Sequence, residues 1–367
     1  MSLDVTLQTD PGAISADPVE EARRQVEICN ACRYCEGYCS VFPAITRKKI
    51  FTDGDITQLA NLCHNCRGCY YACQYTAPHE FDLNLPRALA AARAQSWERM
   101  VWPQALARLF QARGGAIATA LVIASALMFL AIATLPGSGS GFYAWLGHGA
   151  MVAIFLPAFI LPLVAVGVGL RRYWKEVDGG HLTLGAFLDA AISAGRMKNL
   201  SGGQGQGCNF EKGERYSDAR RHAHQAVLYG FLLCFASTTS ATILHYGFNA
   251  PAPYPFWSLP KLLGVAGGLL LVAGCLGLEI LRRKADPQLG TPRRAAGERA
   301  FVLLLGYVGL SGLLLYAVRG TGLTGLLLAL HLGGVLTFFL LTPYTKMAHG
   351  FFRLTALVQD AVARKHS

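Results

Sequence analysis

The chain has 367 residues, of which 53% are hydrophobic and only 15% are charged, against about 25% charged residues in an ordinary soluble domain. This composition excludes an intrinsically disordered chain and argues against a plain soluble globule. A net charge of +11 is typical either of a protein that binds nucleic acid or of a membrane protein with basic loops on one side of the bilayer. The positions of the basic residues decide between these two classes. At roughly 150 residues per domain, the length predicts two or three units.

The amino-terminal part, residues 1–112, is polar and has helical patterns. Its start, MSLDVTLQTDPG, contains neither the basic nor the apolar segment of a secretory signal, so we expect reduced cysteines on the cytoplasmic side. Asp17, Pro18 and Glu20 predict a helix start with an N-cap, a proline in the first turn and a nearby glutamate. The sequence DGD at 53–55 predicts a turn before a second helix, and no segment alternates convincingly like a strand.

Eight of the eleven cysteines lie between Cys29 and Cys73 and form two runs with the same spacing, C-x2-C-x2-C-x3-C. Three thiolates at this spacing surround one face of an iron–sulfur cube, and in two-cluster ferredoxins the fourth cysteine of each run binds the other cluster. The duplication therefore predicts two [4Fe–4S] clusters with crossed ligands. The first takes Cys29, Cys32, Cys35 and Cys73, and the second takes Cys63, Cys66, Cys69 and Cys39.

The details of these runs leave alternatives open. Ser40 and Gln74 follow the fourth cysteines where the bacterial ferredoxin run has proline. This difference leaves open whether the fourth cysteines are exchanged between the clusters, but it does not change the number of ligands. Tetrahedral zinc and a disulfide scaffold are the other interpretations, although a third cysteine at x2 spacing is unusual for zinc. Cys234 and Cys275 are expected to pack as small apolar residues. Cys208 lies in SGGQGQGCNF, which is typical of a flexible linker or a docking loop.

After Gly114 the sequence contains apolar runs long enough to cross a bilayer, which needs about 20 residues. Segments 171–225 and 282–299 hold nine and six Lys or Arg residues, whereas loops 136–141 and 249–258 hold none. Because the cytoplasmic side retains basic loops, we predict a multi-pass inner-membrane protein with both termini in the cytoplasm and no nucleic-acid partner. The six predicted spans are 115–135, 142–170, 226–248, 259–281, 300–318 and 322–343.

These patterns predict an all-α protein in which a helical two-cluster ferredoxin-like domain precedes a six-helix transmembrane bundle. The iron–sulfur domain is predicted over residues 1–112 and the haem-bearing membrane domain over 113–353. Residues 354–367 are predicted to form a cytoplasmic tail.

Histidines inside membrane spans are costly unless they have a task, so each is a candidate ligand. On one continuous helix, His331 and His349 would share a face about 27 Å apart, because 18 residues make five turns. His224 and His245 also lie near one face of a single helix, the third span. Because the third and sixth spans run in opposite directions, His224 is paired with His349 and His245 with His331. The pattern predicts one or two haem b groups between histidine pairs. His148 is expected to pack rather than bind.

The motifs resemble those of a known family. CNACRYCEGYC at 29–39, VFPA at 41–44, CHNCRGCYYAC at 63–73 and the six spans are similar to the tricarballylate-utilisation protein B family, also called CitB-type. The similarity covers roughly residues 20–353. The segment HLGGVLTFFLLTPYTKMAH, from His331 to His349, is also similar to the haem-bearing helix of nitrate reductase gamma-type cytochromes b.

The resemblance implies an electron-transfer subunit whose substrate is handled by a separate chain. In the family, an FAD-dependent dehydrogenase converts tricarballylate to cis-aconitate, and the present protein would reoxidise that flavin and deliver the electrons to membrane quinone. The sequence has no hydrolytic triad and no dinucleotide fingerprint, so we expect no carbon chemistry within this chain. Two rivals remain, a zinc-binding membrane scaffold or sensor and a quinol oxidase that reduces a cytoplasmic acceptor.

Overall fold

The fold is known from a computed structural model that describes residues 17–133, 145–202, 205, 207–209, 215–286, 289 and 295–366. In this part of the chain the regular structure is helical, with an isolated bridge between Cys208 and Ser217 in place of any strand. The predicted all-α class is therefore confirmed. The loop at 136–141, which contains no Lys or Arg, lies outside the described residues, as does part of the glycine-rich loop at 201–210.

Five helices form the amino-terminal domain, and their starts follow from local capping. Asp17 accepts a hydrogen bond of 3.1 Å from the Val19 N–H and so begins the first helix where predicted. Thr52 and Asp55 form a reciprocal capping box, which places the DGD sequence inside the first turn of the third helix. The helices are α1 (Pro18–Cys32), α2 (Val41–Thr46), α3 (Asp53–Leu62), α4 (Gly68–Tyr71) and α5 (Leu85–Met100).

Within the described residues, six later helices are long and apolar enough to cross a membrane, which agrees with the predicted number. The first of them starts eleven residues earlier than the predicted span and continues through the predicted domain boundary, with non-helical dihedrals at Arg113 (φ −134°, ψ 27°). The spanning helices are α6 (Gln104–Ala133), α7 (His148–Glu176), α9 (Ala219–Phe248), α10 (Leu259–Lys284), α11 (Ala295–Ala317) and α12 (Thr324–Leu341).

Small residues let the spanning helices approach closely. A Cβ on Gly230 of α9 would lie 2.6 Å from the Leu271 amide nitrogen, and one on Gly274 of α10 would lie 2.7 Å from the Val227 nitrogen. These distances are below any real Cβ contact, so the α9–α10 interface requires glycine at both positions. This is the packing that membrane helices use where the hydrophobic effect does not drive association.

Two further helices, α8 (Leu184–Arg196) and α13 (Ala348–His366), join the bundle to the amino-terminal domain. α13 extends through most of the predicted tail, and its Phe352 and Ala356 side chains are fully buried in the amino-terminal core. Gln58 of α3 donates 2.8 Å to the Ala356 carbonyl and accepts from the Tyr173 hydroxyl of α7. The amino-terminal domain and the carboxy-terminal helix therefore lie at the same end of the bundle.

Candidate cysteine and histidine sites

The first cysteine site is a cavity of about 190 Å³ between the two cysteine runs. Burial and the neighbouring thiols, that of Cys73 first among them, raise the pKa of Cys29 to about 12. Burial, again with Cys73 nearby, raises the pKa of Cys35 to about 12. Thiols this close ionise together only beside compensating positive charge such as a metal centre. The cavity is lined by Cys29, Cys32, Cys35 and Cys73, with Cys69 at its inner side.

The chain reaches this arrangement through a turn after α1. Cys29 and Cys32 lie in the last turn of α1, which ends at Arg33 in the left-handed conformation (φ 55°). This turn reverses the chain direction and brings Cys35 back towards the other thiols. The Tyr75 amide donates to the Cys73 sulfur at 3.4 Å, an interaction that stabilises a thiolate.

The second cysteine site is deeper and smaller, a cavity of about 20 Å³. Burial raises the pKa of Cys39 well above its ordinary value, and the nearby Cys66 and Cys63 thiols add to the effect. The Asn65 amide donates to the Cys63 sulfur at 3.4 Å. The cysteines that line this cavity are Cys39, Cys63, Cys66 and Cys69.

Apart from Cys69, which lines both cavities, the lining cysteines fall into the two crossed groups that the spacing predicts. Cys73 of the second run joins the first site, and Cys39 of the first run joins the second. Cys69 lines both cavities, so the two sites are adjacent. Among the described residues no three His, Cys, Asp or Glu side chains surround one common ion. Each cysteine of a four-iron cube binds a different iron, so eight thiols have the ligand number that two such clusters need.

Three arginines that the sequence analysis did not single out surround the second cysteine site. Arg93 of α5 and Arg353 of α13 donate to the Cys63 carbonyl at 2.6 and 2.5 Å, and Arg220 of α9 donates to the Asn65 carbonyl at 2.6 Å. Burial and the neighbouring Arg93 lower the pKa of Arg353 to about 9. Cations so concentrated suit an anionic group at this site. They come from three distant helices, so no local sequence pattern reveals them.

The Cys208 loop docks on the same site. The Asn209 amide donates 2.9 Å to the Cys66 carbonyl, and the buried Cys208 thiol donates to the Leu200 carbonyl at 3.2 Å. Of the two interpretations of the glycine-rich segment, these contacts agree with a docking loop.

His224 and His349 meet beside this arginine group. Their ring centroids lie 5.8 Å apart with an interplanar angle of 74°. Two metal–nitrogen bonds of about 2 Å plus the ring radii give roughly 6 Å for histidines on opposite sides of one iron. The His349 Nδ1–H donates to the Lys346 carbonyl, which leaves the Nε2 lone pair for a metal. Among the described residues the buried His224 Nδ1 has no hydrogen-bond partner. This pair fits the axial ligands of a haem.

The other two candidate histidines have different neighbours. His245 stacks on His148, with centroids 4.8 Å apart and an interplanar angle of 16°, and His148 Nε2 lies 2.8 Å from the Tyr246 hydroxyl. His331 Nδ1 lies 3.1 Å from the Ser311 Oγ of α11. These contacts do not join His245 to His331.

The predicted pairing of His245 with His331 assumed one continuous helix from His331 to His349, and this helix is interrupted. α12 ends at Leu341 and α13 begins at Ala348, so the 18 residues from His331 to His349 do not form five turns of one helix. The cause is Pro343, which lacks an N–H and whose ring clashes with the preceding turn.

Comparisons with known proteins bear on the whole chain. The family described as "Citrate utilization protein B Fer4-like domain" matches residues 22–98, and that described as "Citrate utilization protein B" matches residues 101–367. An Escherichia coli protein described as "Citrate utilization protein B" is 40% identical over 358 residues, which cover 96% of this chain and 94% of the relative. No solved structure matches. The resemblance in the cysteine motifs is therefore confirmed, and the chain belongs to the citrate utilization protein B family, with a Fer4-like amino-terminal domain and a six-helix membrane part.

Proposed function

We propose that this protein is an electron carrier that reoxidises the reduced FAD of a separate dehydrogenase and delivers the electrons to membrane quinone. Two [4Fe–4S] clusters and one haem b carry the electrons. The observation that supports this most strongly is the alignment of two crossed cysteine sets and the His224–His349 pair at one end of the membrane bundle. The name of the Escherichia coli relative favours a partner that acts on citrate or a related tricarboxylate such as tricarballylate.

We infer from their contacts the order in which the two cysteine sites and the histidine pair follow one another from the surface towards the membrane. The first cysteine site is the outer one, since Cys32 is exposed and the neighbouring Tyr34 is 70% exposed. Cys69 lies between the first and second sites. Arg353, one helical turn after His349 in α13, donates to the Cys63 carbonyl and so connects the second site to the histidine pair. Electrons from a cytoplasmic flavoprotein would enter at the outer site and leave towards the membrane.

The protein's own residues provide the surroundings for these groups. When bound, the clusters and haem accept electrons singly, which divides the two-electron oxidation of a flavin into separate steps. The Asn65 and Tyr75 amides hydrogen-bond to cysteine sulfurs, and such bonds together with nearby cations stabilise the reduced, more negative form of a cluster. Arg93, Arg220 and Arg353 supply those cations at the second site.

We place the clusters in residues 1–112, the haem in residues 113–353 and the last residues, 354–367, with the amino-terminal domain. The basic segments 171–225 and 282–299 favour the cytoplasmic side for this end of the bundle and the inner membrane as its location. A partner dehydrogenase in the cytoplasm can then reach the exposed outer site.

Counting the metals tests this proposal directly. Protein purified without oxygen should contain about eight non-haem irons, eight acid-labile sulfides and one haem per chain. It should show broad visible absorbance and sharp reduced b-haem bands. A colourless protein that carries zinc would overturn the proposal and support the scaffold or sensor.

A second experiment tests the direction of electron flow. The protein is placed in vesicles that contain quinone, and the reduced partner flavoprotein is added from outside. Reduction of the haem followed by formation of quinol agrees with the proposal. Haem that stays oxidised with the flavoprotein but becomes reduced with quinol would support the reverse carrier.

A further inference from the structure

The membrane part contains a cavity of about 330 Å³ between α9, α10, α11 and α12. Apolar side chains and glycines form most of its wall, including Phe231, Val335 and Phe338. Its volume lies within the usual range of small-molecule sites, about 300 to 1,000 Å³. An apolar wall with a few polar groups is typical of a site for an apolar ring that carries polar substituents.

His331 is the one histidine among the described residues that line this cavity. The Ser311 hydroxyl donates to the Val308 carbonyl at 3.2 Å, so its oxygen accepts from the His331 Nδ1–H at 3.1 Å. This assignment leaves the His331 Nε2 with its lone pair, as a hydrogen-bond acceptor. A haem held by two histidines requires a second imidazole, and no other described residue of the cavity wall supplies one.

The cavity is also polar at one end and accessible to lipid at its side. Lys261 lies near its end, with Nζ 4.9 Å from the centroid of the Tyr316 ring, and both residues line the wall. Phe235, which is 46% exposed, and Thr238, which is also exposed, line the wall on the lipid-facing surface of α9. A hydrophobic molecule dissolved in the bilayer can therefore reach the cavity between α9 and α12.

The cavity extends towards the His224–His349 pair. Phe231, the wall residue of α9 nearest His224 in the sequence, is seven residues after it in the same helix, which corresponds to about 10 Å along the axis. Phe231 also packs against Phe338 of α12, with ring centroids 5.7 Å apart. An occupant of the cavity near Phe231 is thus the next group beyond the proposed haem.

We propose that this cavity binds the ring of a membrane quinone, with the His331 Nε2 accepting a hydrogen bond from the quinol hydroxyl and Lys261 facing the polar end. This inference rests on the proposed function, which requires a quinone site. Reduction of the quinone to quinol takes up two electrons, which the partner's reduced flavin loses one at a time, and two protons from water. Oxidation of that flavin releases two protons, so charge and atoms balance.

Photolabelling tests this site in the purified protein with its cofactors bound. A photoreactive azidoquinone is the probe, decylubiquinone is the competitor, and labelled peptides are mapped by mass spectrometry. We expect label on α9, α10, α11 or α12 at the wall of the cavity. Val335→Trp fills the cavity without removing a polar group, and it should weaken competition by decylubiquinone about tenfold or more. Leu326→Trp is the matched control, because Leu326 lies on the same helix and is exposed towards lipid.

His331→Ala separates this inference from the proposed function. We expect weaker quinone capture with an unchanged haem spectrum. Loss of haem in this variant would make His331 an axial ligand and overturn the quinone site, while the electron-transfer proposal would stand. Unchanged competition in Val335→Trp, or label confined to other helices, would also overturn it. A parent protein without iron or haem would instead refute the proposed function, and iron and haem analysis of the same preparation distinguishes that failure from a failure of the quinone site.

Discussion

The cysteine domain and the membrane histidines differ in how directly the sequence encodes them. In the cysteine domain three of the four predicted ligands of each set lie within a few residues of one another, and short turns such as that at Arg33 fix their relative positions. The two histidines of each predicted pair come from different helices, and their meeting depends on helix ends and interhelical packing. The structure places the cysteines at two adjacent cavities and His224 beside His349, whereas the contacts described for His245 and His331 are with other residues.

The first prediction tests the crossed ligation of the two clusters, and its expected effect, the loss of one cluster, is the largest. Cys73→Ala and Cys32→Ala should remove the same cluster, and Cys39→Ala should remove the other one. Each variant should lose about half of the iron and acid-labile sulfide, and electron paramagnetic resonance should show which cluster remains. Cys234→Ala, in α9, is the control and should keep both clusters.

Haem content monitors folding in these cysteine variants, because the His224–His349 pair lies outside the cysteine domain. If Cys73→Ala and Cys39→Ala left the same residual spectrum, the assignment of Cys73 and Cys39 to different clusters would be wrong. Uncrossed ligation would appear as Cys39→Ala matching Cys32→Ala.

The second prediction concerns the histidine pair. His349→Ala and His224→Ala should each abolish haem binding, since removing one axial ligand leaves the iron without its second imidazole. The cluster spectra should be unchanged. His245→Ala is the comparison, because the stacked His148–His245 pair lies elsewhere in the bundle. Full haem content in both the His224 and His349 variants would refute this pair as the haem ligands.

The sequence predicts what depends on local spacing and misses what depends on tertiary contacts. The cap at Asp17, the six spans and the cysteine sets follow from patterns of a few residues or one helix length. Pro343 predicts a bend between His331 and His349 that makes their alignment approximate, but the sequence does not show that the helix stops at Leu341. The arginine group could not be predicted, because its members come from α5, α9 and α13.

The third prediction concerns the electrostatic surroundings of the second cluster. Arg353→Met removes a buried cation that donates to the Cys63 carbonyl, so the reduced cluster should lose stabilisation. We expect the midpoint potential of one cluster to become more negative by on the order of 60 mV, a tenfold change in a one-electron equilibrium. The other cluster should not shift, and potentiometric titration followed by electron paramagnetic resonance measures both.

Arg364→Met is the control for this variant. Arg364 lies on the same helix but pairs with Asp360 and is largely exposed, so neither cluster should respond. Equal shifts of both clusters in Arg353→Met would indicate a general disturbance of the domain and contradict the assignment of Arg353 to the second site.

The smallest expected effect is at the capping box of α3. Burial alone would raise the pKa of Asp55, but hydrogen bonds from Thr52 and the nearby Lys48 outweigh it and hold the pKa below its ordinary value. The ionised carboxylate therefore stabilises the fold above the ordinary pKa of Asp, and this contribution is lost as the pH falls through the lower, folded value. Asp55→Asn should cost about 0.5 to 1 kcal/mol at pH 7.

Thermal unfolding of the intact protein at a series of pH values measures this effect. The midpoint of Asp55→Asn should lie about 2 °C below that of the parent at pH 7, and the difference should narrow below about pH 4. Asp53→Asn is the control in the same turn, because Asp53 is mostly exposed and its ion pair with Arg23 contributes little. A difference that stays constant with pH would show that Asp55 acts through packing rather than through its charge.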